Sequence, residues 1–208
     1  MAGLHAAGLS KGDCVCLCSF NDIYYPIIVL GIIAAGGVFT GTNPAYTEFE
    51  LKHHINTAKV TFVISEPEII DNVLKAATDC GIPKSKVWIF NALNQPVPAG
   101  FKTWKSLLEY GEKDWVRFDD EKTSRSTTTA RLFSSGTTGL PKAVNLSHYN
   151  FVAEHTLCFE INKKPFRVSY FIIQSRRFVS FTGLLMSLQS RFLIPLPLFH
   201  AACAPREL

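Results

Sequence analysis

The sequence contains no Cys-x-x-Cys pair. That absence excludes the usual cysteine-based metal sites, which need such a pair and a distant second one. The six cysteines read otherwise. Cys14, Cys16 and Cys18 alternate, so on a strand they share one face and behave as small buried hydrophobes. Cys80, Cys158 and Cys203 are scattered, which points to a reducing, intracellular compartment. Charge is also scarce, at 18% of residues with a net +4. That is too modest a positive balance for a nucleic-acid partner, and no basic–aromatic interleaving suggests an RNA platform. Residues 1–11 lack the long apolar core of a secretory leader. An unbroken membrane-length run is missing too. Residues 23–46 carry no charge, but Pro26, Gly31, Gly36, Gly37, Gly41 and Pro44 divide them into a helix and a strand. What is present is 47% hydrophobic residue content in 208 positions, enough for a sizeable core and one domain.

In chain order, residues 2–9 read as a short helix, 14–20 as a strand, and 22–35 as a helix capped by Asn21 or Asp22. Residues 38–40 form a strand, and Thr47 caps a helix over 48–57. A β-branched strand at 60–65 precedes an amphipathic helix at 67–80, with Ile69, Ile70, Val73, Leu74 and Ala77 on its apolar side. Residues 86–90 form the next strand, and a short helix is expected around 104–110. Asp119 and Asp120 read as a solvated turn, since nothing nearby supplies further metal ligands. Residues 124–129 are a polar run into the strand 129–133. Residues 144–146 are a strand, and Ser147 or His148 starts a helix to about residue 160. Alternating strands and helices predict an α/β fold with a largely parallel sheet and flanking helices.

The chemistry concentrates after that strand, in Ser134-Ser135-Gly136-Thr137-Thr138-Gly139-Leu140-Pro141-Lys142. Glycines let backbone approach a ligand closely, and successive N–H groups in such a turn form an anion site. Ser134, Ser135, Thr137 and Thr138 add hydroxyls, and Lys142 adds a positive charge. The pattern suits a polyphosphate better than a bland surface turn. It differs from G-x-x-x-x-G-K-[ST], because Pro141 precedes the lysine and Ala143 follows it.

This stretch, continuing through Ala143-Val144-Asn145-Leu146-Ser147-His148, closely resembles the signature of the adenylate-forming superfamily, which includes acyl-CoA synthetases and 4-coumarate–CoA ligases. Ala143 departs from the family's usual glycine. Lys11-Gly12-Asp13 and residues 36–47 also resemble the family's N-terminal domain. The resemblance implies ATP-dependent activation of a small-molecule carboxylic acid as acyl-AMP, followed by transfer to coenzyme A. It implies that Ser134, Ser135, Gly136, Thr137, Thr138, Gly139 and Lys142 hold the ATP phosphates, with Mg2+ bridging phosphate oxygens. His200, in RFLIPLPLFH, matches a family histidine that orients or gates the acyl carboxylate; on the residues alone, a loop histidine is as good a reading. His148 rises above a helix-start residue only through the family match.

The tail departs from the pattern. No Asp or Glu occurs from Lys163 to Arg206. Residues 168–189 lack helix or strand period and interrupt the resemblance, so they are expected to be a translated, retained intron. Val168-Ser169 can be encoded GTAAGT, and Gln189 can be encoded CAG. The family's ribose-binding aspartate, hinge and C-terminal domain are not in the sequence, so residues 1–208 are expected to be an incomplete N-terminal AMP-binding domain. An ATP-binding remnant without ligase activity, or an inert truncated product, are the alternatives. Cytoplasmic and peroxisomal locations both stay open, and Arg206-Glu207-Leu208 does not match the peroxisomal tripeptide.

Overall fold

The computed structural model describes residues 1–134 and 140–157. Ser135, Gly136, Thr137, Thr138 and Gly139 lie outside the described residues, as do residues 168–189 and His200.

Among the described residues seven strands form one sheet: β1 (Cys14–Cys18), β2 (Val38–Thr42), β3 (Val60–Ser65), β4 (Val87–Ile89), β5 (Lys102–Thr103), β6 (Thr128–Ser134) and β7 (Lys142–Ser147). Their order is β5-β4-β3-β1-β2-β6-β7. Every neighbouring pair is parallel except β6 with β7, which runs antiparallel with Ser134 opposite Lys142. The helices are α1 (Ala2–Ala6), α2 (Tyr25–Ala34), α3 (Glu48–Ala58), α4 (Ile70–Asp79), α5 (Glu121–Ser126) and α6 (His148–Thr156).

Both faces of the sheet are covered, as parallel sheets require. On one face Val15, Leu17, Phe39, Phe62, Ile64 and Trp88 pack against Leu4 of α1 and Tyr25, Ile28 and Ile32 of α2. On the other, Cys14, Cys16, Cys18, Val38, Val63 and Val87 pack against Leu51 and Ile55 of α3 and Val73, Ala76 and Ala77 of α4. The three alternating cysteines are therefore core residues on one face, with free thiols. Burial pushes the Cys14 thiol up to about 12, so it stays protonated.

The uncharged stretch divides as its glycines and prolines predict. α2 is only ten residues long, about 15 Å, and no helix among the described residues is long and apolar enough to cross a membrane. The Thr47 cap is a full capping box. Its hydroxyl accepts from the Glu50 N–H, and the Glu50 carboxylate accepts from the Thr47 N–H at 2.8 Å.

Some local expectations change. α2 begins at Tyr25 rather than at the expected cap; the Asp22 carboxylate instead accepts from the Tyr24 N–H at 2.8 Å. The helix over 67–80 opens as a 3-10 turn, Pro67–Ile69, and the helix near residue 104 is a 3-10 turn, Trp104–Leu108. The acidic turn and polar run contain α5. Asp120 is its cap, accepting from the Thr123 N–H at 2.8 Å. Lys142 opens β7 instead of ending a loop, because its pairing with Ser134 extends the antiparallel ladder by two residues before Val144.

Candidate functional site

β6 runs parallel to β2, so its C-terminal residue Ser134 lies at the carboxyl edge of the parallel strands. Chain order reverses between β1 and β3, two strands away from β6. β1 leads into α2 on one face, whereas β3 leads into α4 on the other. In open α/β sheets such a reversal leaves the crevice where ligands bind. Ser134 and Lys142 face each other as the last pair of the β6–β7 hairpin, and both are exposed. A hydroxyl and an ammonium thus stand at the two ends of the Ser/Gly/Thr run. This fits an anionic phosphate chain, because the cation supplies charge without burial cost.

α3 lies under that hairpin and touches both sides of its open end. His54 stacks on Phe133, ring centroids 3.9 Å apart. The neighbouring His53 places Nε2 2.8 Å from the carbonyl of Pro141. Deeper down, Arg131 donates to the carbonyl of Ala58 at 2.6 Å, and Thr40 donates to the carbonyl of Arg131 at 2.7 Å. Tyr46, Glu50, His53, His54, Phe133, Leu140 and Pro141 enclose a cavity of about 20 Å³. That is room for one water, not for a nucleotide.

The carboxyl edge also holds Glu66. Its carboxylate accepts from the Ser19 hydroxyl at 2.6 Å and from the Phe20 N–H at 2.9 Å. Burial raises its pKa above the ordinary value, and these two hydrogen bonds oppose the rise. Glu66 ties the ends of β1 and β3 together across the reversal. His148 is the first residue of α6, whose cap is Ser147; its ring stacks on Phe118 at 4.0 Å. That is a packing role. Among the described residues no cluster of His, Cys, Asp and Glu forms a metal cage.

Sequence reasoning placed Ser134 and Lys142 in one loop, and the structure pairs them across β6 and β7. It missed His53, His54, Arg131 and Glu66. The His53-His54 doublet was the available signal, since adjacent residues on a helix point about 100° apart and can serve two neighbours at once.

Comparison with known proteins gives these features a family. The chain is 49% identical over 206 residues to the acyl-CoA ligase azaF of Aspergillus niger, covering 98% of this chain and 35% of that protein. It is 49% identical over 206 residues to the phenylacetyl-CoA ligase epaB of Aspergillus niger, covering 98% and 34%. It is 45% identical over 205 residues to the acyl-CoA synthetase ACTT5 of Alternaria alternata, covering 99% and 32%. The chain therefore spans about a third of the length of these relatives. Among solved structures, a long-chain-fatty-acid-CoA ligase from Archaeoglobus fulgidus shares the fold with a TM-score of 0.63 at 22% identity, over 74% of this chain and 28% of that one. ATP-bound MatB from Rhodopseudomonas palustris matches with a TM-score of 0.57 at 28% identity, over 75% and 30%. The family described as AMP-binding enzyme matches residues 2–206. The chain belongs to the AMP-binding enzyme family.

Proposed function

We propose that this chain supplies the ATP-phosphate site of an acyl-CoA ligase. The observation that carries the reading is the paired placement of Ser134 and Lys142 at the mouth of the β6–β7 hairpin, at the carboxyl edge of the sheet. The reaction has two steps. A carboxylate oxygen attacks the α-phosphorus of ATP, the bond to the β-phosphate oxygen breaks, and pyrophosphate leaves with acyl-AMP formed. The thiolate of coenzyme A then attacks the acyl carbon, and AMP leaves as the thioester forms. Lys142 and the hydroxyls of Ser134, Ser135, Thr137 and Thr138 stabilise the charge that gathers on the departing pyrophosphate. The glycines Gly136 and Gly139 admit backbone N–H donors to the same oxygens. Mg2+, when bound with ATP, would neutralise phosphate charge beside Lys142 and these hydroxyls. His200 is assigned to the acyl end. The acid is a small carboxylic acid, and the relatives named for acyl-CoA and phenylacetyl-CoA formation support that class. Residues 168–189 remain our proposed retained intron, to be checked by sequencing mature messenger RNA.

Because the chain spans about a third of its relatives, a second reading is nucleotide binding without turnover. Calorimetric titration with MgATP tests the shared core of both. Binding by the wild-type chain, weakened but still measurable in Lys142→Ala, is the expected result. Acid-dependent AMP release from ATP, coenzyme A and a panel of acids separates ligation from binding alone. A wild-type chain that binds no MgATP overturns both readings.

A further inference from the structure

We infer that His53 is a positioning residue for Lys142. The inference rests on the proposed phosphate role of that lysine. His53 lies on α3, far from Lys142 in sequence, yet its Nε2 is 2.8 Å from the Pro141 carbonyl. That carbonyl belongs to the peptide unit joining Pro141 to Lys142. A peptide unit is planar, so holding its oxygen fixes the plane from which the Lys142 Cα and side chain depart. Pro141 adds its own restraint, since its ring locks φ. Lys142 has a long, exposed side chain with much rotamer freedom. Its base is therefore the one part that the fold can aim.

The support beneath His53 is rigid. α3 is capped at its start by the Thr47–Glu50 box. Its second turn is pinned by His54, which stacks on Phe133 and meets the buried Thr40 hydroxyl at 2.9 Å. Its last residue, Ala58, receives the Arg131 guanidinium at 2.6 Å. His53 itself sits edge-on to Phe133, centroids 6.4 Å apart. One helix therefore grips β6 through Phe133 and Arg131, and the start of β7 through Pro141. The bland alternative is that His53 only packs the hairpin onto the helix. The two differ in a measurable way: packing alone has no reason to act through Lys142.

The test uses the 208-residue chain with MgATP and AMP as probes. His53→Phe keeps the ring against Phe133 and removes the donor. His53→Gln keeps an N–H at similar reach. H53F is expected to weaken MgATP binding about fivefold, the scale of one hydrogen bond, and to leave AMP binding unchanged. H53Q should stay within about twofold of wild type. In a Lys142→Ala background, H53F should have no further effect, because coupled groups are not additive. Should H53F not fold, His53→Leu replaces it, and the 15N shifts of the wild-type His53 ring give a check without any variant: a hydrogen on Nε2 is expected. A wild-type chain that binds no MgATP would remove the phosphate-site reading and this inference with it. Wild-type binding with undiminished H53F affinity, an equal H53F loss with and without Lys142, or a ring protonated only at Nδ1 would each overturn the role of His53 alone.

Discussion

The hydroxyl of Thr40 stands 2.9 Å from Nε2 of His54 and donates a 2.7 Å hydrogen bond to the carbonyl of Arg131. A hydroxyl has one proton. With that proton committed to Arg131, the Thr40 oxygen can only accept from His54, so the His54 ring carries a hydrogen on Nε2. Nδ1 of His54 is buried, and the Cys16 thiol interacts with the same ring. Three elements, β2, α3 and β6, are tied through a single side-chain oxygen.

Thr40→Val follows directly from that arrangement. The shape is kept, but a buried N–H and a buried carbonyl lose their partner. The expected loss is about 1–3 kcal/mol of stability. Thr40→Ser keeps the hydroxyl and should lose clearly less. In urea titrations the Val variant should lower the midpoint with an unchanged slope. A Val variant as stable as wild type would show that these two hydrogen bonds contribute nothing net at this position.

Gly3 tests a different kind of constraint. α1 packs against the turn Trp104–Leu108 so closely that a Cβ on Gly3 would lie 1.9 Å from the Leu107 carbonyl oxygen. Backbone cannot swing aside like a side-chain tip, so Gly3→Ala should cost about 1–3 kcal/mol through overpacking. Thermal unfolding reads this as a lowered Tm. A neutral Gly3→Ala would mean that α1 shifts freely on its neighbour.

Ser147 should behave as an ordinary cap despite its place beside the signature. Its hydroxyl accepts from the Asn150 N–H at 3.2 Å, and Asn150 accepts from the Ser147 N–H at 2.9 Å. Ser147→Ala is expected to cost about 1 kcal/mol. MgATP affinity in the same variant should hold, and a selective loss of affinity with no loss of stability would give Ser147 a ligand role instead.

Much of this molecule was legible in its residues, for physical reasons that can be named. The β-branched run Val60–Ser65 and the Thr47–Glu50 box declare themselves locally, because strand preference and capping depend on neighbours in sequence. The phosphate signature was legible because its chemistry is dense and contiguous. α5 was not, since Glu121–Ser126 has no apolar period and is held by the Asp120 cap and an Arg125–Glu121 pair at 2.8 Å. The contact that His53 makes was not legible for another reason. Its partner is a backbone carbonyl 88 positions away, and a carbonyl leaves no mark in a sequence.

His148 should make stability depend on pH. Burial, then the nearby Lys11 charge, holds its pKa below the ordinary histidine value, and its Nε2 is buried without a partner among the described residues. Phe118 stacks on the His148 ring at 4.0 Å, and the Lys11 ammonium lies 4.9 Å from the Phe118 ring centre. The folded state thus keeps the ring neutral, while the unfolded chain takes up a proton near the ordinary value of about 6.5. Below that value the unfolded state binds more protons, so stability is full above it and falls as pH drops, levelling once the folded ring also titrates. His148→Phe should remove this part of the dependence between about pH 7 and 5. Identical Tm-against-pH curves for wild type and H148F would exclude it.

Lys142 carries the largest expected effect. It sits at the end of the hairpin ladder, exposed, with its base held through Pro141. Adenylation puts growing negative charge on the leaving pyrophosphate, so an ammonium there acts more strongly on the transition state than on bound ATP. Removing one such group costs about 2.7–4 kcal/mol of barrier, or about 10²–10³ in rate. Lys142→Ala should therefore slow acid-dependent pyrophosphate exchange by that factor, measured in a chain extended to the length of the relatives, with a much smaller change in MgATP affinity. Lys142→Arg keeps the charge but spreads it over a planar fork, and should recover only part of the rate. Unchanged exchange in the Ala variant at saturating ATP would take Lys142 out of the mechanism.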